Sequence, residues 1–249
     1  MLFSSPEITL IVFVTGLCIG SFLNVCIYRI PESKSIVSPP SSCPQCGYRI
    51  RYYDNIPVIS YLLLRGKCRQ CHVPISFRYP MVELTAGFFA LWVYFRFGLT
   101  LEALIHFVFI SVLLVITFID MDHRIIPDVI SLPGIPLFFL ASFAVPSLTY
   151  KDSLLGIILG GGSLYMVALS YLLLTKREGM GGGDIKLLAM MGGLLGWQGV
   201  LFTIFVSSAI GTVIGTAIML ARHKNMKLAL PFGPFLALGA VIYIFLDRH

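Results

Sequence analysis

Charge is scarce in this chain of 249 residues. Only 12% of it is Asp, Glu, Lys or Arg, and 57% is hydrophobic; soluble globular domains carry about a quarter charged residues. That shortage excludes an ordinary soluble domain and defines a polytopic membrane protein. Residues 1–7 hold no Lys or Arg, so the basic region of a secretory signal peptide is missing and the first apolar run is expected to stay as a span. The glycine-rich run at 179–183 lacks the Gly-Lys-Ser/Thr ending of a phosphate-binding loop. His72, His106, His123 and His223 have no metal-like spacing. Carboxylates are the rarest charge, 12 in all, so any cluster of them calls for an explanation.

A spanning helix needs about 20 mainly apolar residues. Candidate runs fall at 8–28, 82–99, 101–120, 129–146, 153–174, 184–197, 198–221 and 229–246. The expected fold is therefore an all-α polytopic membrane protein of about eight transmembrane helices, with one sizeable soluble segment at 29–81. Placing 29–81, 121–128, 175–183 and 222–228 on one side, with Lys186 at the edge of the third, gathers 15 of the 18 Lys and Arg residues; Arg96, Lys151 and Arg248 fall opposite. By the positive-inside rule those segments face the cytoplasm and both termini lie outside. The net charge of +6 thus encodes topology in a lipid bilayer, and no nucleic-acid partner is expected.

The soluble segment carries Cys43-Pro44-Gln45-Cys46 and, at an offset of 25, Cys68-Arg69-Gln70-Cys71. Two Cys-x-x-Cys knuckles separated by 21 residues come close to four-cysteine zinc spacing. A loop of about 50 residues is too small to hold a core without a staple, and a cytoplasmic loop does not keep disulfides. Four thiolates would make a closed, structural zinc site resembling a zinc ribbon; the competing reading is redox or disulfide pairing. Cys18 and Cys26 lie in the first span and read as packing residues. Asn24, near the cytoplasmic end of that span, reads as an interhelical hydrogen-bonding group. Residues 56–64 are too short to span and are expected to pack on the ribbon or the membrane face. Gly66 reads as a tight turn into the second knuckle.

Three carboxylates crowd the end of the third run, in Asp120-Met121-Asp122-His123-Arg124-Ile125-Ile126-Pro127-Asp128. Asp128 is explained as a helix N-cap, and Asp122 with Arg124 as loop charges or a local pair. Asp120 is expected at the electronegative C-terminal end of its helix, where a carboxylate is disfavoured; a salt bridge to Arg124 would be the bland account of it. The second focus is Glu178-Gly179-Met180-Gly181-Gly182-Gly183-Asp184-Ile185-Lys186, where glycines surround one carboxylate at the start of an apolar helix. Capping explains part of Asp184. Topology puts both Asp120 and Asp184 at the cytoplasmic end of their helices, at one depth. Such a pair can share a proton, one carboxylate activating water while the other protonates a scissile amide. Helix polarity suggests Asp184 as the base and Asp120 as the acid.

In this order, Gly20-Ser21-Phe22-Leu23-Asn24, the two cysteine knuckles, the Asp120–Asp128 segment, Gly-Met-Gly-Gly-Gly-Asp-Ile-Lys and Pro231-Phe232-Gly233-Pro234 resemble the type IV prepilin peptidase family over nearly the whole chain. The resemblance implies two-aspartate cleavage of prepilin or pseudopilin leaders after glycine at the cytoplasmic face of the inner membrane. It also implies N-methylation of the new N-terminal residue, commonly Phe, with S-adenosylmethionine as methyl donor. The family's Gly-x-Gly-Asp motif falls on Gly181-Gly182-Gly183-Asp184, and its other catalytic aspartate on Asp120, with Asp122, Arg124 and Lys186 in support. Methyl transfer is associated with the cysteine loop, which carries Gly66 as the cofactor-site candidate and Cys43, Cys46, Cys68 and Cys71 as zinc ligands. A membrane-anchored loop domain at 1–81 and a peptidase domain at 82–249 are expected. Two other classes fit single features: an ion-coupled transporter with buried carboxylates in broken helices, and a non-catalytic membrane zinc adaptor.

Overall fold

The computed structural model describes residues 5–176, 181–222 and 231–246. Glu178-Gly179-Met180, His223, most of the 222–228 segment and Arg248 lie outside them. Every regular element among the described residues is helical; the extended pairs are two isolated bridges in the cysteine loop. The chain divides into two compact units, residues 1–111 and 112–249.

The first unit is built on α1 (Pro6–Arg29) and α3 (Arg78–Phe97). Ser5 caps α1, its Oγ accepting the Ile8 amide at 3.4 Å, and Pro6 opens the helix with its fixed φ. The two helices meet through small residues. A Cβ at Gly16 would lie 2.7 Å from the Ala90 Cβ, and one at Gly20 would lie 2.6 Å from the Glu83 Cα. Neither approach leaves room for a side chain, as at small-residue helix contacts in membranes. Asn24 Nδ2 donates to the Gly20 carbonyl at 3.3 Å and to the Tyr79 carbonyl of α3 at 3.1 Å, the interhelical role expected of it. Between α1 and α3 lie a 3-10 turn (Tyr52–Asn55) and the short α2 (Ile59–Leu63). α4 (Leu101–His123) runs from this unit into the next.

The second unit packs α5 (Asp128–Ser142), α6 (Tyr150–Thr175) and α8 (Gly233–Leu246) around α7 (Gly182–Arg222). Leu187, Leu188, Met190 and Met191 of α7 are fully buried. Close backbone approach is again the rule: a Cβ on Gly193 would meet the Phe139 nitrogen at 3.1 Å. α7 is broken at Gly196, with φ 67° and ψ −178°, a conformation open to glycine and costly for other residues. The break falls within two residues of the expected boundary between runs 184–197 and 198–221.

Four helices among the described residues are long and apolar enough to cross a membrane: α1, α4, α6 and α7, the last to Leu220. The expectation of about eight spans is met only in part. α5 and α8 are apolar but have 15 and 14 residues, short of the ~20 that hydrocarbon thickness demands, and α7 counts once despite its break.

Candidate active site and four-cysteine cluster

Asp120 lies in the last turn of α4 rather than at its terminus, because the helix runs on to His123. Its side chain is buried, 5% exposed. Oδ2 accepts a 3.0 Å hydrogen bond from the Gly233 amide, one of the N–H groups left without an intrahelical partner at the start of α8. A Cβ on Gly233 would stand 2.7 Å from that same oxygen. Glycine is what allows the amide to reach the carboxylate.

Asp184 is the third residue of α7, inside the first turn, so it is not the N-cap the sequence suggested. It is half-buried and lies within electrostatic range of Asp120. The two aspartates singled out by sequence therefore come together in the second unit. Gly183 packs against Ile126, where a Cβ would lie 2.9 Å from the Ile126 Cβ. Gly183 can settle on Ile126 only because position 183 has no side chain. Gly181 meets no such wall among the described residues.

The other expected supporting residues fall into different roles. Asp122 is exposed, in contrast to Asp120. Arg124 gives Asp120 no salt bridge; its link is a backbone N–H donated to the Asp120 carbonyl at 2.9 Å, with φ 56° closing the helix. Asp128 is not an N-cap. Pro127 occupies that position, and the Asp128 carboxylate instead accepts both bonds from Lys186 Nζ at 2.8 Å. This exposed ion pair ties the start of α7 to the start of α5 and occupies Lys186 away from Asp120 and Asp184.

The 25-residue repeat reappears in the backbone of the cysteine loop. Cys43 N–H donates to the Tyr48 carbonyl and Cys68 N–H to the Val73 carbonyl, both at 2.9 Å. The bridges Ser42–Arg49 and Lys67–Pro74 frame the two turns, and Gly47 and His72 take the matching left-handed positions. All four Sγ atoms lie within 4.8 Å of one another, and Cys43 and Cys71 are 3.8 Å apart. Tetrahedral bonds of about 2.3 Å to a zinc ion would separate sulfurs by ~3.8 Å, so the donor set fits such an ion. The amides of Cys71 and Gln70 hold the Cys68 thiol down to about 7, which favours a thiolate ligand. Cys71 is pushed up to about 12; the Val73 amide works the other way, and burial with the neighbouring cysteines outweighs it.

Gly66 enters the second knuckle with φ 66°. Its amide donates to the Tyr61 carbonyl at 2.8 Å, its carbonyl accepts from Ile75 at 2.7 Å, and a Cβ would crowd the Tyr61 hydroxyl at 2.9 Å. It is the turn expected of it and also the contact that seats α2 on the ribbon. Sequence reasoning missed the Gly233 amide beside Asp120 and the buried Glu83. The Gly233 amide leaves no signature except the Pro-Phe-Gly-Pro run, and Glu83 could have been found as the one carboxylate inside the run 82–99.

Residues 14–97 match the Bacterial Peptidase A24 N-terminal domain, and residues 107–216 match the Type IV leader peptidase family. A Prepilin leader peptidase/N-methyltransferase of Pseudomonas putida is 38% identical over 93% of this chain and 88% of its own length. Proteins of the same name from Pseudomonas aeruginosa and Neisseria gonorrhoeae are 37% and 36% identical, over 91% and 96% of this chain and 86% and 90% of theirs. No solved structure matches significantly. The chain belongs to the type IV leader peptidase family. It is an enzyme of that family, which decides against the transporter and the zinc adaptor.

Proposed function

We propose that this protein processes type IV prepilins or pseudopilins at the cytoplasmic face of the bacterial inner membrane, cleaving the leader after glycine and then methylating the new N-terminus. One observation carries the peptidase half: a buried aspartate, fixed by a backbone amide, within charge-interaction range of a second aspartate. Two like charges so placed do not both ionise readily, and one proton is shared between them. Helix polarity suggested Asp184 as the base, but that effect is worth about 0.3–1 kcal/mol near a helix end. A buried hydrogen bond to a charged oxygen is worth about 1.5–3 kcal/mol. The larger effect favours the opposite assignment, with charge on Asp120 and the proton on Asp184. Asp120 then draws a proton from water as it attacks the scissile carbonyl, and Asp184 protonates the leaving amine.

The four cysteines hold a structural zinc in this reading, with no open position for catalysis. S-adenosylmethionine supplies the methyl group. The loop and the aspartates face the cytoplasm, as the distribution of Lys and Arg supports, and the eight apolar runs would then all lie in the membrane, the short ones re-entrant or thinning the bilayer around them.

The test is cleavage of a prepilin-type substrate in membranes by wild type and by Asp120→Asn, Asp122→Asn and Asp184→Asn. The expected pattern is loss of cleavage in the Asp120 and Asp184 variants with activity kept in Asp122→Asn. Normal cleavage by Asp120→Asn with loss in Asp122→Asn would move the partner role to Asp122. Equal cleavage by all four would refute an aspartic mechanism.

A further inference from the structure

The first unit holds a buried carboxylate that the peptidase does not use. Glu83 sits in the second turn of α3 with 8% exposure, and its Oε2 accepts the Val58 amide at 2.8 Å. The Ser21 hydroxyl faces the same carboxylate. None of the ion pairs among the described residues includes Glu83. A charged carboxylate out of water and without a cation is strongly disfavoured, and ionisable groups in apolar helices mark functional sites by default.

The donor to Glu83 is itself held at a cost. Val58 has φ 61° and ψ −48°, a conformation strained for a β-branched residue that persists only where surrounding structure imposes it. That structure is the cysteine ribbon. Arg69, between the cysteines of the second knuckle, forks onto Asp54 with contacts of 2.6–3.0 Å, and Asp54 lies in the 3-10 turn four residues before Val58. The buried Ser60 ties Ile56 N–H and the Tyr53 carbonyl together, each at 2.9 Å. Gly66 seats Tyr61 and α2 from the other side. The ribbon thus presents one strained amide to one buried carboxylate, and Gly20 brings α1 against the Glu83 backbone.

We propose that Glu83, oriented by Val58 and bordered by Ser21, is the methyltransferase's binding site for an α-ammonium group. The inference rests on the methyltransferase reading above. Both reactants of that reaction carry such a group: the N-terminus freed by cleavage, and the amino-acid end of the sulfonium methyl donor. In the first case Glu83 is catalytic. The ammonium gives one proton to the Glu83 carboxylate, and the freed nitrogen lone pair bonds to the methyl carbon. The carbon–sulfur bond breaks with its electron pair kept by sulfur, leaving a neutral thioether and a secondary ammonium. Glu83 returns its proton to solvent. In the second case Glu83 anchors the donor.

Glu83→Gln keeps an oxygen for the Val58 amide and removes the charge, with Glu83→Asp as a second variant that keeps the charge but shortens its reach. Full-length protein in detergent is assayed for leader cleavage, zinc content, transfer of labelled methyl, and binding of two probes: a peptide beginning with Phe, free or N-acetylated, and S-adenosylhomocysteine. The expected result is cleavage and zinc content at wild-type level, methyl transfer reduced about 100-fold, and loss of a preference of about 10-fold or more for the free-amine peptide. Weakened S-adenosylhomocysteine binding with the peptide preference intact assigns the site to the donor's ammonium. Unchanged methyl transfer with both probes bound as by wild type overturns the proposal. So does loss of cleavage and zinc together in both variants, which would make Glu83 structural. A wild type that cleaves but transfers no methyl refutes the methyltransferase reading, and the two binding probes then still decide the role of Glu83.

Discussion

The two units each bury a carboxylate and each aim one backbone amide at it. Glu83 receives Val58 at 2.8 Å and Asp120 receives Gly233 at 3.0 Å. The amides reach their targets differently. Gly233 gets there by having no side chain at the start of a helix, whereas Val58 is forced into a left-handed backbone by a stapled loop. The surroundings differ more. Asp120 has a second carboxylate in range, an arrangement that splits acid and base roles and suits hydrolysis. Glu83 has no second acid and no cation among the described residues, an arrangement that suits binding a positive group. The same buried device would thus suit two chemistries, according to whether its neighbour is another acid or an uncharged group.

The largest test of that contrast is selective loss. Asp120→Asn or Asp184→Asn should lower cleavage about 1,000-fold, within the range for removal of a general acid or base. Methylation of an already cleaved peptide should stay within a few-fold of wild type, measured with the mature peptide as substrate. Metal removal should do the reverse. A chelator, or Cys43→Ser, should empty the ribbon, release Val58 and abolish methyl transfer while cleavage keeps at least about half its rate, because a loop of this size has no core to fall back on. Zinc content measured beside both activities checks it.

Gly233→Ala sharpens the comparison at the atom where the peptidase half is held. The added methyl must displace Asp120 Oδ2 or the amide that binds it. A misplacement on the ångström scale should lower kcat for cleavage between about 10- and 100-fold, with methylation unchanged. At the small end, Lys186→Ala removes only an exposed ion pair with Asp128. Stability should fall by less than about 1 kcal/mol and cleavage should stay within about 3-fold. A large loss would mean that Lys186 acts on the carboxylates after all.

Much of this was legible in the chain itself. Scarce charge and apolar runs make a membrane protein under any packing, and the 25-residue cysteine repeat specifies two like turns because each needs only local hydrogen bonds. Asp120 and Asp184 could be paired from topology, since helix direction alone puts both at one end. What the tertiary structure decided are contacts between distant parts of the chain. The Gly233 amide reaches a carboxylate 113 positions away, and the proposed charge assignment rests on it. Asp128 leaves its capping role for Lys186, 58 positions on. Glu83 acquires meaning only when Val58, held by the ribbon, turns its amide toward it. Backbone donors carry no residue signature, and a buried charge is recognised only once packing shows what does and does not stand beside it.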